Sequence, residues 1–219
     1  MSEQQETRER LTGIRRLSAR NLARSHAEIP GVHIVEECDL TGVDLRRLVG
    51  VVLAAMGRAA RDHPRFNAHF DGEELTMFER CDVAVAVDTE RGLLVPAVRD
   101  CGAKSVDEIV AEVAELAGRA RDGRLAADEM RGSTVTFTSP GRRGGVLATP
   151  MINPPQTAIV GLYRAVERAV VRDGEIVVRS IANLTVTFDH RVVDGASAGD
   201  YTVALAAEIE RIGREEAPA

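Results

Sequence analysis

Apolar residues recur at helical spacing near the start of the chain, where Leu11, Ile14, Leu17 and Leu22 run on until Pro30-Gly31 ends the pattern; this predicts a first helix. Residues 32–39 alternate weakly, as a strand does. Residues 45–61 are apolar and alanine-rich enough for a buried helix that stops before His63-Pro64. Two further runs, residues 82–87 and 93–98, read as central strands joined in a hairpin through Asp88-Thr89-Glu90-Arg91-Gly92. Ser105 with Glu108 three residues later is a capping box, and Ile109, Val113, Leu116 and Ala120 continue one helical face towards Gly123. Strand-like runs follow at 133–138, 157–162, 165–171 and 175–179, the last two turning at Asp173-Gly174, and residues 182–188 alternate again. Tyr201, Leu205, Ile209 and Ile212 mark the stripe of a closing helix.

Helices mixed with mainly hairpin-linked strands predict an α+β fold, a mixed and mainly antiparallel sheet flanked by helices, rather than a doubly wound sheet. Residues 1–10 read as a solvated tail and residues 11–213 as one domain, with no repeat or linker inside it.

Composition narrows the partners. With 44% hydrophobic residues in 219, a buried core is within reach, and a net charge of −6 opposes a nucleic-acid backbone. Nucleic acid is therefore not expected as a partner. Three cysteines, Cys38, Cys81 and Cys101, argue for a reducing compartment rather than a disulfide framework, and none has metal-ligand spacing, so no metal is expected. The polar N-terminus lacks an apolar run, so the expectation is a cytoplasmic protein with no membrane association.

The candidate chemistry gathers where the alternating strand runs out. His190 follows Leu184, Val186 and Phe188 and precedes Asp194-Gly195. A histidine there can accept a thiol proton, because its ordinary pKa is close to working pH. The stretch Phe188-Asp189-His190-Arg191-Val192-Val193-Asp194-Gly195-Ala196 resembles the signature of the dihydrolipoyl acyltransferase catalytic domain, the core component of 2-oxo acid dehydrogenase complexes. Its His-x-x-x-Asp-Gly part is similar to that of chloramphenicol acetyltransferase, whose branch usually has a second histidine where this chain has Asp189. The resemblance continues through Leu11-Thr12-Gly13-Ile14-Arg15-Arg16, Pro64-Arg65-Phe66-Asn67, Gly92-Leu93-Leu94-Val95-Pro96, the run from Ile152 to Gly161, and Val171-Arg172-Asp173-Gly174-Glu175-Ile176, in the family's order.

That resemblance implies a chloramphenicol acetyltransferase-like sandwich that moves an acyl group between dihydrolipoamide and coenzyme A (CoA). It implies His190 as general base, and Thr138, in Thr136-Phe137-Thr138-Ser139-Pro140-Gly141, as the hydroxyl that stabilises the oxyanion, with Ser139 next in line. Asp194 reads either as a group that orients a catalytic partner or as a structural residue that holds an arginine and fixes the loop, and the family favours the second. Asp189 and Arg191 are expected to make fixing salt bridges. Arg142 and Arg143 lie in a loop that is either simply solvated or meets CoA phosphates; with Ser139 they are the candidate CoA contacts.

The resemblance further implies a homotrimer with active sites between subunits. Its members usually carry lipoyl and subunit-binding domains ahead of the catalytic domain, and neither is present in this sequence. Lys104, the single lysine, precedes a capped helix rather than sitting in a hairpin turn, so the lipoyl group is expected to come in trans, from a lipoyl-bearing protein with dehydrogenase partners. Two rival expectations are an acyltransferase for a free small-molecule acceptor and a non-catalytic trimeric scaffold. The polar C-terminal residues predict a free trimer, since the family's larger cores are joined by an apolar terminal anchor.

Overall fold

The computed structural model describes residues 6–90, 92–141 and 144–216. Helix α1 is Gly13–Glu28 and strand β1 Gly31–Asp39; α2 is Leu48–Ala59. The short strands β2 (Ala68–Phe70), β3 (Leu75–Met77), β4 (Val83–Val85), β5 (Val87–Thr89), β6 (Gly92–Leu94) and β7 (Ala97–Val98) follow. Then come α3 (Val106–Arg121), β8 (Val135–Thr138), β9 (Ala158–Leu162), β10 (Val166–Arg172), β11 (Glu175–Asp189) and α4 (Gly195–Glu215). The main sheet has seven strands in the order β1-β11-β9-β8-β4-β7, with β10 paired to β11. It is mixed, because β8 runs parallel to both β4 and β9 while the other pairs are antiparallel.

One face of this sheet presents Val135, Phe137, Val160, Leu184, Val186 and Phe188 to the core. Helices α2 and α4 cover it with Leu53, Met56, Tyr201, Leu205 and Ile209, all essentially inaccessible to solvent. The opposite face carries Thr136, Thr138, Thr185 and Thr187, since side chains alternate along each strand. It is the face along which the cavities beside Thr138 lie. Helix α3 opens with the expected capping box, Ser105 Oγ accepting from Glu108 N while Glu108 Oε2 accepts from Ser105 N at 2.8 Å.

Some predicted elements are redrawn. The hairpin expected from 82–87 and 93–98 is broken into β4–β7 and β5–β6, and β7 lies at the sheet's edge rather than at its centre. The two runs 175–179 and 182–188 are one strand of 15 residues. Polar Arg179 and Ser180 interrupt the pattern but not the backbone, because Ser180 N donates to Thr41 Oγ1 and its carbonyl accepts from Leu40 N, both at 2.8 Å. The first helix forms as expected, but Leu17 and Leu22 on it are 59% and 50% exposed, so its stripe is not buried within this chain.

Backbone meets backbone where α2 crosses the turn before α3. A Cβ built on Gly57 would lie 2.3 Å from Gly102 N, and one on Gly102 would lie 2.8 Å from Gly57 O. Gly57→Ala is therefore expected to destabilise the fold by about 1–3 kcal/mol through overpacking. A urea-unfolding midpoint equal to that of the parent chain would contradict this contact.

Candidate active site

Strand β11 delivers His190. Its partners on both sides hold it to the last residue, with Asp189 paired to Gly31 of β1 and Phe188 to Ala158 of β9. Asp189 N then donates to Thr157 O at 2.8 Å and His190 N to Pro30 O at 3.2 Å. The chain turns at once, because Val192 N and Val193 N both return to Asp189 O. Beneath the turn the Asp189 carboxylate, 1% exposed, takes a two-point contact from Arg191, with Nε at 2.9 Å and Nη2 at 2.6 Å. The Arg191 guanidinium lies over the Phe70 ring, 4.9 Å from its centre. So the expected fixing salt bridge is one that the two flanking residues make with each other, and it leaves His190 projecting between them.

The His190 side chain is exposed, leans against Phe188 at 5.5 Å between ring centres, and makes no hydrogen bond among the described residues.

Asp194 plays a different structural part from the arginine partner expected of it. Its Oδ1 accepts from Ser197 N at 2.8 Å and caps α4. That hydrogen bond is the main reason its carboxyl lies below the ordinary aspartate range, with the charge of Arg65 contributing least. Arg65 instead donates to the Val192 carbonyl at 2.8 Å. Because the pKa of Asp194 is lowered on folding, the cap stabilises the protein above the unfolded aspartate pKa and is lost as pH falls through the folded value. Asp194→Asn keeps an acceptor for Ser197 N and is expected to retain turnover, whereas Asp194→Ala is expected to lower both turnover and melting temperature; equal effects of the two would detach the cap from the site.

Thr138 ends β8 between two parallel neighbours, in register with Gly161 of β9, which is itself paired with Thr185 of β11. Its hydroxyl makes no hydrogen bond among the described residues, whereas Ser139 Oγ already accepts from Gly141 N at 3.2 Å within the turn. Two strands over, Thr185 lies five residues before His190, so Thr138 and His190 in one chain are separated by roughly 19 Å along and across the sheet. The structure does not bring the two together within the chain. Arg142 and Arg143 lie outside the described residues.

Three adjoining cavities run along the threonine face. One of about 730 Å³ lies beside Thr138, with Val87, Leu93, Pro140 and Tyr163 on its wall and Arg121 from α3. A second, of about 450 Å³, shares Thr138 and Leu93 with it and runs under α1 past Arg15 and Leu22. The third, about 520 Å³, shares Ser25, Met151 and Ile152 with the second and reaches Pro30, whose carbonyl holds His190. Sequence reasoning gave no site role to Tyr163, Arg121 or Arg15; Arg15 stands within the Leu11–Arg16 stretch, and only the packing of α1, α3 and the end of β9 brings the three to the cavities beside Thr138.

The cysteines are not nucleophiles at neutral pH. Burial pushes Cys38 and Cys101 up to about 12 and raises Cys81 as well. Among the described residues no cluster of three or more His, Cys, Asp or Glu could hold a metal, and no helix is long and apolar enough to cross a membrane.

The model of the 2-oxoacid dehydrogenases acyltransferase catalytic domain matches residues 3–214. The chain belongs to this acyltransferase family. It is 38% identical over 210 residues to the dihydrolipoyllysine-residue acetyltransferase component of the pyruvate dehydrogenase complex of Bacillus subtilis, covering 88% of this chain and 48% of that one. It is 37% identical to the lipoamide acyltransferase component of the branched-chain alpha-keto acid dehydrogenase complex of Pseudomonas aeruginosa, covering 90% and 50%. The chain thus spans about half the length of the curated relatives it matches. Among solved structures, one that addresses the role of a serine, a histidine and an asparagine in the catalytic mechanism of Azotobacter vinelandii dihydrolipoamide acetyltransferase superposes with a TM-score of 0.90 at 33% identity, covering 96% of this chain and 93% of that one. Chloramphenicol acetyltransferase shares the fold at a TM-score of 0.55 and 15% identity, over 89% of this chain and 94% of that one. The α+β sandwich expected from the sequence is the fold of this acyltransferase family.

Proposed function

We propose that the chain transfers an acyl group between the thiols of dihydrolipoamide and CoA, with His190 as general base and Thr138 as oxyanion donor. The observation that carries this is an interval. In the Azotobacter vinelandii enzyme the named serine precedes the histidine by fifty-two residues and the asparagine follows it by four; Thr138, His190 and Asp194 stand at the same intervals here. Threonine keeps the hydroxyl of serine, and aspartate keeps the cap-forming oxygen of asparagine.

The chemistry follows from the free groups. A neutral His190 nitrogen takes the proton of the incoming thiol, and the thiolate attacks the thioester carbonyl carbon. The resulting oxyanion is bonded by the Thr138 hydroxyl. Collapse of the tetrahedral intermediate expels the other thiolate, which receives the proton back from His190, so no net charge or proton is left over.

Because one chain keeps the two groups roughly 19 Å apart, each site takes His190 from one subunit and Thr138 from the next. A closed ring provides this, and a homotrimer with its active sites between subunits is the reading we adopt. The exposed stripe of α1, Leu17 and Leu22, supports it, since an apolar face left uncovered in one chain is available to another. The lipoyl group acts here as a substrate carried by another protein, and dehydrogenase partners would reload it. Of the arginines along the trough, Arg121 and Arg15 offer charge for CoA phosphates.

The test is a thioester-exchange assay of acyl-CoAs against dihydrolipoamide. Transfer to dihydrolipoamide supports the reading. Transfer only to hydroxyl or amine acceptors would replace it with a free-acceptor enzyme, and no transfer from any acyl-CoA would leave a scaffold.

A further inference from the structure

Tyr163 is out of place for a residue between two strands. It follows β9 at the point where residues 163–165 of one side face only 182 and 183 of the other, so its ring is turned back onto the sheet. The ring lies over Gly161, where an added Cβ would be 2.5 Å from the Tyr163 hydroxyl and 3.0 Å from Cζ. Gly161 is therefore the one residue type that lets the ring lie flat. Since Gly161 sits between Thr138 and Thr185 in the register, the hydroxyl lies roughly one strand spacing, about 5 Å, from the Thr138 backbone.

The environment of that hydroxyl is unusual. Tyr163 is 4% exposed and Thr185 is fully buried, yet neither hydroxyl closes a full hydrogen bond among the described residues. Thr185 and the Ala148 backbone lie close enough to Tyr163 Oη to offset part of the effect of burial on it. Tyr163 also lines the 730 Å³ cavity that contains Thr138, whose walls include the apolar Val85, Val87, Leu93 and Pro140 as well as Asp88, Ser139 and Arg121. Burial raises the phenol's pKa, so it remains a donor at neutral pH.

We propose that Tyr163 is the specificity-determining residue of this site: its ring closes the floor of the cavity beside Thr138 and limits it to short acyl chains. The inference rests on the acyltransferase reading above. With the thioester carbonyl at Thr138, the acyl chain continues along the apolar wall of Val85, Val87, Leu93 and Pro140, and the Tyr163 ring lies on the same cavity. Removing the ring opens the cavity down to the Gly161 backbone; removing the hydroxyl alone leaves the shape unchanged.

Two variants of the full chain separate these effects, each measured with acetyl-, butanoyl- and hexanoyl-CoA as donors to dihydrolipoamide. Tyr163→Ala is expected to raise the ratio of kcat/KM for hexanoyl over acetyl by at least about tenfold, within the range typical of pocket discrimination by chain length. Tyr163→Phe keeps the ring and is expected to leave that ratio unchanged. If the alanine variant does not fold, Tyr163→Leu, also smaller than the ring, takes its place. An unchanged ratio in a folded variant lacking the ring would overturn the size limit, and so would a phenylalanine variant whose ratio rises as far as that of the alanine variant. Calorimetric binding of S-ethyl- and S-hexyl-CoA thioethers to the same proteins reads the floor without turnover. If the parent chain transfers nothing to dihydrolipoamide, the acyltransferase reading fails, while a gain in S-hexyl over S-ethyl affinity on loss of the ring still decides for Tyr163, and its absence against.

Discussion

His190→Ala is expected to lower the turnover of thioester exchange by at least about 100-fold, the lower end of what a positioned general base contributes. The expectation depends on how the residue is held. Its backbone is tied to Pro30 and its neighbours are tied to each other, but its ring is exposed and makes no hydrogen bond in the described chain. Truncation should therefore remove the proton acceptor without disturbing the Asp189–Arg191 pair, the α4 cap or the core. Circular dichroism and the melting temperature are expected to match those of the parent chain. A variant that kept full turnover would take His190 out of the mechanism, and one that lost its fold would show that the ring is structural.

The second large effect is at Thr138. Thr138→Ala should lower kcat by about 10²–10³-fold, or roughly 2.7–4 kcal/mol, with a much smaller change in KM, because an oxyanion donor acts in the transition state rather than on the bound thioester. Thr138→Ser retains the hydroxyl and is expected to recover most of the activity. A defect confined to KM would move Thr138 from the oxyanion to the binding surface, and would direct attention to Ser139. Because one chain holds His190 and Thr138 far apart, the two inactive variants should complement each other. Refolded together as mixed rings, His190→Ala and Thr138→Ala subunits would place an intact histidine beside an intact threonine in about a quarter of the sites by random assortment. Activity in the mixture, absent from either variant alone, would establish the shared site; a mixture as inactive as its components would refute it.

Local regularities were legible in the chain because they are made by neighbours in sequence. The capping box of Ser105 and Glu108, the Asp173-Gly174 turn and the stripe of Tyr201, Leu205 and Ile209 each involve residues within a turn or two of helix or a single hairpin, and each forms as the pattern predicts. The family was legible for a related reason: the Asp-His-Arg turn must be spelled out in consecutive residues, since Asp189 and Arg191 hold each other across His190. What the tertiary structure alone decided is what depends on strands distant in sequence. Alternation cannot tell a central strand from an edge, so β7 was misplaced. Polar Arg179 and Ser180 look like a break, but a strand on one side and Thr41 on the other keep β11 extended through them. The partner of Asp194 is a backbone N–H, because Asp194 caps α4; aspartate ahead of a helix is a cap signal that the expectation of an arginine partner passed over. Above all, the distance between Thr138 and His190, and the placing of Tyr163 beside the former, come from the register of β8, β9 and β11. Register is set by which face of each strand buries its apolar side chains against α2 and α4, a collective choice of the packed core that no stretch of the chain makes by itself.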